Sequence, residues 1–101
     1  MRILIFFDLP TLTVSERRSY RKFRKMLINE GFIMMQESVY CKLAMNYNAV
    51  ELCMNKIKKS SPSKGIIQSM CITEKQFSDI NYICGTAQSN KLNNMDRLIV
   101  L

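Results

Sequence analysis

The chain contains no His and no Trp, only three Gly and two Pro, and four Cys. Without His there is no Ser-His or Cys-His nucleophile pair and no imidazole metal ligand. Proton transfer near neutral pH would fall to a carboxylate, a Lys, a Tyr or a metal-bound water. Three glycines leave no material for a Gly-rich phosphate loop. The cysteines (Cys41, Cys53, Cys71 and Cys84) are widely spaced and form no C-x-x-C. That spacing gives a zinc site little support and reads as four small buried hydrophobes in a reducing compartment. No run approaches the roughly 20 apolar residues needed to cross a bilayer. The opening stretch Ile3 to Phe7 is short, broken by Asp8 and without a small-residue cleavage site. A cytoplasmic protein with no membrane partner is therefore expected.

What is present is 101 residues, 48% hydrophobic, with a net charge of +7. That length predicts a single domain over 1–101, with 86–101 a flexible connection and a terminal strand. Arg2 to Asp8 carries a continuous β-favouring apolar run, which suits a strand covered on both faces. Leu9-Pro10 ends it, since Pro cannot donate to a ladder. Thr13-Val14-Ser15-Glu16 fits a capping box, opening a helix to about Glu30 with Gly31 as its stop. At 100° per residue, Tyr20, Phe23, Met26 and Leu27 share one side of that helix. Gly31 to Leu43 reads as extended, either two short strands or one strand bent near Gln36-Glu37. A second helix is predicted over about Ala49 to Lys59, with Val50, Cys53, Met54 and Ile57 as its apolar stripe. Ser60 to Gly65 is a loop, Ile66 to Thr73 a strand, and Thr73-Glu74-Lys75-Gln76 opens a short helix through about Tyr82. A polar connection from Gly85 to Asp96 leads to a terminal apolar strand, Arg97 to Leu101.

This order is the βαββαβ outline of an α+β, ferredoxin-like fold with an added C-terminal strand. One sheet face stays partly apolar, and the terminal strand needs an edge to join. Both features predict a homodimer in which Leu98 to Leu101 completes a sheet edge across chains, the competing arrangement being a strand that pairs within its own chain.

Two features could carry chemistry. Asp8 is a carboxylate at the end of a buried strand, a costly place for a charge unless it is paired, hydrogen-bonded or metal-bound. It either hydrogen-bonds the following turn or binds a metal. Asp79 and Asp96 are not obvious partners, but a two-fold axis beside the first strand would bring in a second Asp8. Mg²⁺ (or Mn²⁺) between such carboxylates could activate water against a phosphodiester. The second feature is the segment 17–25, where Arg17, Arg18, Arg21, Lys22, Arg24 and Lys25 occur with no acid among them. A solvated helix face usually mixes its signs, so this one predicts a polyanion held through phosphates. No base-reading motif accompanies it: the aromatic RNP1 pattern is absent, and Ile66 to Thr73 has no aromatic to stack a base.

Phe6-Phe7-Asp8-Leu9-Pro10, Glu16-Arg17-Arg18, Tyr20-Arg21-Lys22-Phe23-Arg24-Lys25, Glu30-Gly31-Phe32, Met35-Gln36, Ser38-Val39-Tyr40 and Thr73-Glu74-Lys75-Gln76-Phe77 stand in this order along nearly the whole chain. The set closely resembles the smaller CRISPR-associated adaptation protein, the CRISPR-associated endoribonuclease family, in the branch that accompanies type II systems. The resemblance implies a ferredoxin-like homodimer with Mg²⁺ held by the first-strand Asp, here Asp8, near the dimer axis. It implies a complex with the larger CRISPR integrase, in which the small dimer bridges two integrase dimers, binds duplex protospacer DNA and helps set its captured length during spacer acquisition in antiviral defence. It also implies a metal-dependent endonuclease activity on RNA, single-stranded RNA included, or on DNA. On that reading DNA binding is the more secure function, and a primarily catalytic phosphodiesterase is the alternative.

Overall fold

The computed structural model describes residues 1–86. The expected terminal strand, Arg97 to Leu101, and nearly all of the expected polar connection lie outside the described residues. Seven elements follow in order: β1 (Arg2–Asp8), α1 (Val14–Asn29), β2 (Ile33–Gln36), β3 (Val39–Leu43), α2 (Tyr47–Ser60), β4 (Ile66–Ile72) and α3 (Glu74–Ser78). The strands form one antiparallel sheet in the order β2-β3-β1-β4. This is the ferredoxin-like arrangement, in which each long helix links two parallel strands that are not neighbours.

The apolar run of β1 is explained by its central place. Ile3, Ile5 and Phe7 join Phe23 and Leu27 of α1, Cys53 and Ile57 of α2, and Tyr40 of β3 in one core beneath the two helices. Leu4 packs on the other face with Cys41 and Phe77, the latter supplied by α3, and Phe6 lies against them. Alternation therefore sends one set to each face, and both sets find cover. The face left partly open in the sequence reading is thus capped locally by α3. Met70 and Ile66 of the edge strand β4 remain half or more exposed.

Local chemistry sets the boundaries. The Thr13 hydroxyl accepts from the Glu16 amide at 3.0 Å, and the Glu16 carboxylate accepts from the Thr13 amide at 3.0 Å, completing the box. Gly31, at φ +95°, follows the α1 cap in the left-handed conformation that stops a helix. The extended region 31–43 resolves into two strands, with a register shift between Met34 and Gln36 that inserts Met35 as a bulge. Helix α2 starts at Tyr47, earlier than Ala49, because Asn46 is the cap and its side chain accepts from the Ala49 amide at 2.9 Å. Helix α3 ends at Ser78, well short of Tyr82. There the Ser78 hydroxyl donates back to the Lys75 carbonyl at 2.9 Å, and Ser, Asp and Asn offer the backbone local alternatives to a helix.

Two of the four cysteines overturn the expectation of burial. Cys41 and Cys53 are buried, and desolvation pushes the Cys53 thiol up. Cys71 and Cys84 are exposed. Cys71 sits on the sheet edge, and Cys84 lies past the end of α3. At the edge, Cys71 has a neighbouring strand on one side only.

Candidate nucleic-acid interface

Phe23 and Leu27 anchor α1 in the core, and this orientation turns its basic positions outward. Arg17, Arg18, Arg21, Lys22, Arg24 and Lys25 are all exposed, as the periodicity predicted. They are not equivalent. Arg17 donates through Nη1 to the carbonyls of Thr11 and Leu12, at 3.2 and 3.0 Å, and so braces the turn before the helix. Arg24 donates through Nε to the Tyr40 hydroxyl at 2.8 Å, and that bond raises the guanidinium above its ordinary pKa. Tyr40 is itself fully buried and stacks on Phe7, with centroids 5.6 Å apart. Arg18, Arg21, Lys22 and Lys25 make no hydrogen bond or ion pair among the described residues. These four carry positive charge that no acid among the described residues neutralises.

Asp8 ends β1 opposite Ile66 of β4, and it is exposed. Its carboxylate accepts no hydrogen bond among the described residues. The turn-capping alternative is not realised, because the amides of Leu12 and Thr13 both donate to Glu16 instead, each at 3.0 Å. Those donors, Thr13 first, hold the Glu16 carboxyl below its ordinary range. No group of three or more His, Cys, Asp or Glu suited to a metal occurs among the described residues. Asp8 is thus an exposed carboxylate that stands outside any such group among the described residues.

Asp8 and the basic crest of α1 are not brought together. Alternation places Asp8 on the side of Leu4 and Phe6, away from the helix layer, whereas the crest faces outward from that layer. The backbone at Asp8 is held by a close approach. A Cβ on Gly65 would fall 2.7 Å from the Asp8 carbonyl and 2.7 Å from Leu9 Cδ2, and Gly65 has φ +97°. Gly65→Ala is therefore expected to cost roughly 1–3 kcal/mol for the conformation alone, with the clash added. Gly85 has φ +82° but nothing within 4 Å of such a Cβ, so Gly85→Ala should cost less. Chemical denaturation of both variants checks this; equal losses would show that the Asp8 contact does not constrain the loop.

Sequence reasoning missed Arg2, which is fully buried. Its Nε donates to both Glu74 carboxylate oxygens, at 3.2 and 3.0 Å, and its guanidinium lies 4.0 Å from the Phe77 ring centroid. The pair ties α3 to the first residue of the central strand. The available signal was parity: Arg2 shares a face with Leu4 and Phe6, and Glu74 is the only acid in the first turn of α3.

Comparison with known proteins adds an independent line. The family model described as CRISPR associated protein Cas2 matches residues 1–80. The CRISPR-associated endoribonuclease Cas2 of Ligilactobacillus salivarius is 46% identical over 101 residues, covering 100% of both chains. That of Treponema denticola is 42% identical over 101 residues, again covering 100% of both. That of Streptococcus mutans serotype c (strain UA159) is 45% identical over 101 residues, covering 100% of this chain and 93% of the relative. The crystal structure of Streptococcus pyogenes Cas2 at pH 6.5 matches with a TM-score of 0.64 at 16% identity, covering 83% of this chain and 100% of that one, a likeness of fold. With the family model spanning most of the chain and relatives matching from end to end, this protein belongs to the CRISPR-associated Cas2 family.

Proposed function

We propose that the chain acts in CRISPR adaptation as a homodimer that binds duplex DNA through its first helix and bridges dimers of the CRISPR integrase. The observation that carries the reading is the crest of α1, where Arg18, Arg21, Lys22 and Lys25 stand exposed without partners among the described residues. A single-signed face of this kind suits backbone phosphates, whose contacts position a duplex without reading its sequence. The exposed apolar residues of edge strand β4, Ile66 and Met70, support a dimer that covers that edge. Family membership supports the CRISPR setting.

A second reading rests on Asp8. The relatives of this chain carry the name endoribonuclease, and an exposed carboxylate without a partner among the described residues suits Mg²⁺ or Mn²⁺. Asp8 would hold such an ion with a second copy of the chain or with substrate phosphate, and the ion would supply activation of water. The separation of Asp8 from the α1 crest favours the architectural role: DNA held on the helix layer does not lie over the carboxylate. Asp8→Ala decides between the two. Spacer acquisition in cells is expected to persist largely intact, while any metal-dependent cleavage by the purified protein disappears. Loss of acquisition in a folded, dimeric Asp8→Ala protein would overturn the purely architectural role.

A further inference from the structure

The basic crest of α1 does not end on α1. Ser19 and Lys22 face a cleft of about 310 Å³ whose other wall is the end of α2 and the loop after it, Lys59, Ser60, Ser61 and Pro62. Among the described residues, the polar side chains lining the cleft are those of Lys and Ser, and no Asp or Glu lines it. Lys22 and Lys59 have no acidic partner within 4 Å among the described residues. Lys56, on the same helix, contrasts with them: it pairs with Glu30 at 3.3 Å. The Ser61 hydroxyl is committed to the Ile57 carbonyl at 2.7 Å, whereas those of Ser19 and Ser60 make no bond among the described residues.

The dipole of α2 accounts for cations in its last turn, and Lys58 already serves it. It does not account for a second cation lining the same cleft from another helix. Two ammonium groups sharing a cleft repel, and an anion between them converts that repulsion into two attractions. We propose that this cleft is a second phosphate seat, in which Lys22 and Lys59 close on one phosphate of the nucleic-acid backbone and the Ser19 and Ser60 hydroxyls donate to its oxygens. The seat rests on the reading that the α1 crest binds nucleic acid. It adds the end of α2 to the footprint and fixes the direction in which a strand crosses the helix layer.

The test measures affinity of the full chain for a duplex DNA of arbitrary sequence at several salt concentrations. Lys59→Ala is expected to reduce the slope of log K against log salt by about 0.9, which is roughly an eightfold loss at 0.1 M. Lys75→Ala removes the same charge from α3, far from the helix layer, and should leave the slope unchanged. Because Lys22 and Lys59 share one phosphate, the loss in the double alanine variant should fall short of the sum of the single losses. An unchanged slope in Lys59→Ala while Arg18→Ala lowers it would overturn the seat and leave the wider reading standing. Equal losses in Lys59→Ala and Lys75→Ala, or strictly additive losses for Lys22 and Lys59, would also overturn it. If the wild-type chain does not bind, or Arg18→Ala has no effect either, the wider reading fails and the seat fails with it.

Discussion

Replacing Arg18, Arg21 and Lys25 together with Ala is expected to weaken duplex DNA binding by roughly 10²- to 10³-fold at 0.1 M salt. The magnitude follows from counterion release. Each neutralised phosphate contributes about 0.9 to the slope of log K against log salt, so three contribute about 2.7, and extrapolation from 1 M gives nearly three decades. These three positions are chosen because they make no hydrogen bond or ion pair among the described residues. Their removal should leave folding untouched. Arg17 and Arg24 would be less clean probes, since one braces the turn at Thr11 and Leu12 and the other is bound to Tyr40. Affinity measured by fluorescence anisotropy across a salt series checks both the loss and the slope. A loss below tenfold with an unchanged slope would mean that DNA does not meet this helix. Backbone contacts of the proposed kind predict that sequence preference does not change.

The architecture was legible in the chain because its signals are local and mutually consistent. Phe23 and Leu27 lie where the 3.6-residue period put them, and the Thr13 and Thr73 capping boxes form as written. The basic face followed from the same period: once the apolar stripe is buried, the remaining positions are outward. The ends of α2 and α3 were less legible, because a cap residue and a helix-competing Ser differ by single hydrogen bonds that composition does not weigh. Cys71 and Cys84 were misplaced for a different reason. An apolar neighbourhood in sequence says that a residue can be buried, and only topology says that β4 is an edge. The site was legible in part. Asp8 was singled out from its position as a candidate, and its exposure at the strand end is what the structure adds; its separation from the basic crest depends on the parity of β1 relative to the helix layer. The Arg2–Glu74 pair and the Lys22–Lys59 cleft join residues far apart in the chain, so no local pattern could have paired them.

Phe7→Ala is expected to produce the largest loss of stability among single substitutions near the site. Phe7 is buried, and its ring meets three others: Tyr20 at 5.9 Å and Phe23 at 5.2 Å edge-on, and Tyr40 at 5.6 Å stacked. Truncating a buried Phe costs about 3–5 kcal/mol through lost transfer energy and the cavity left behind. Aromatic pairs of this geometry add to area burial, which places the expectation toward the upper end. Small domains have only about 5–15 kcal/mol in total, so the variant should be marginal at 37 °C. Urea denaturation at fixed protein concentration provides the measurement, and with a slope of about 1–2 kcal/mol per molar the midpoint should fall by 2 M or more. Phe7→Leu keeps much of the volume and should lose considerably less. The consequence for function follows from position. Phe7 precedes Asp8 and stacks on the tyrosine that holds Arg24. Its loss loosens both the strand end and one flank of the basic helix, so DNA affinity should fall in Phe7→Ala even where the protein remains folded, while Phe7→Leu retains it. A Phe7→Ala protein with near-wild-type stability would show that the four rings do not form a close-packed unit.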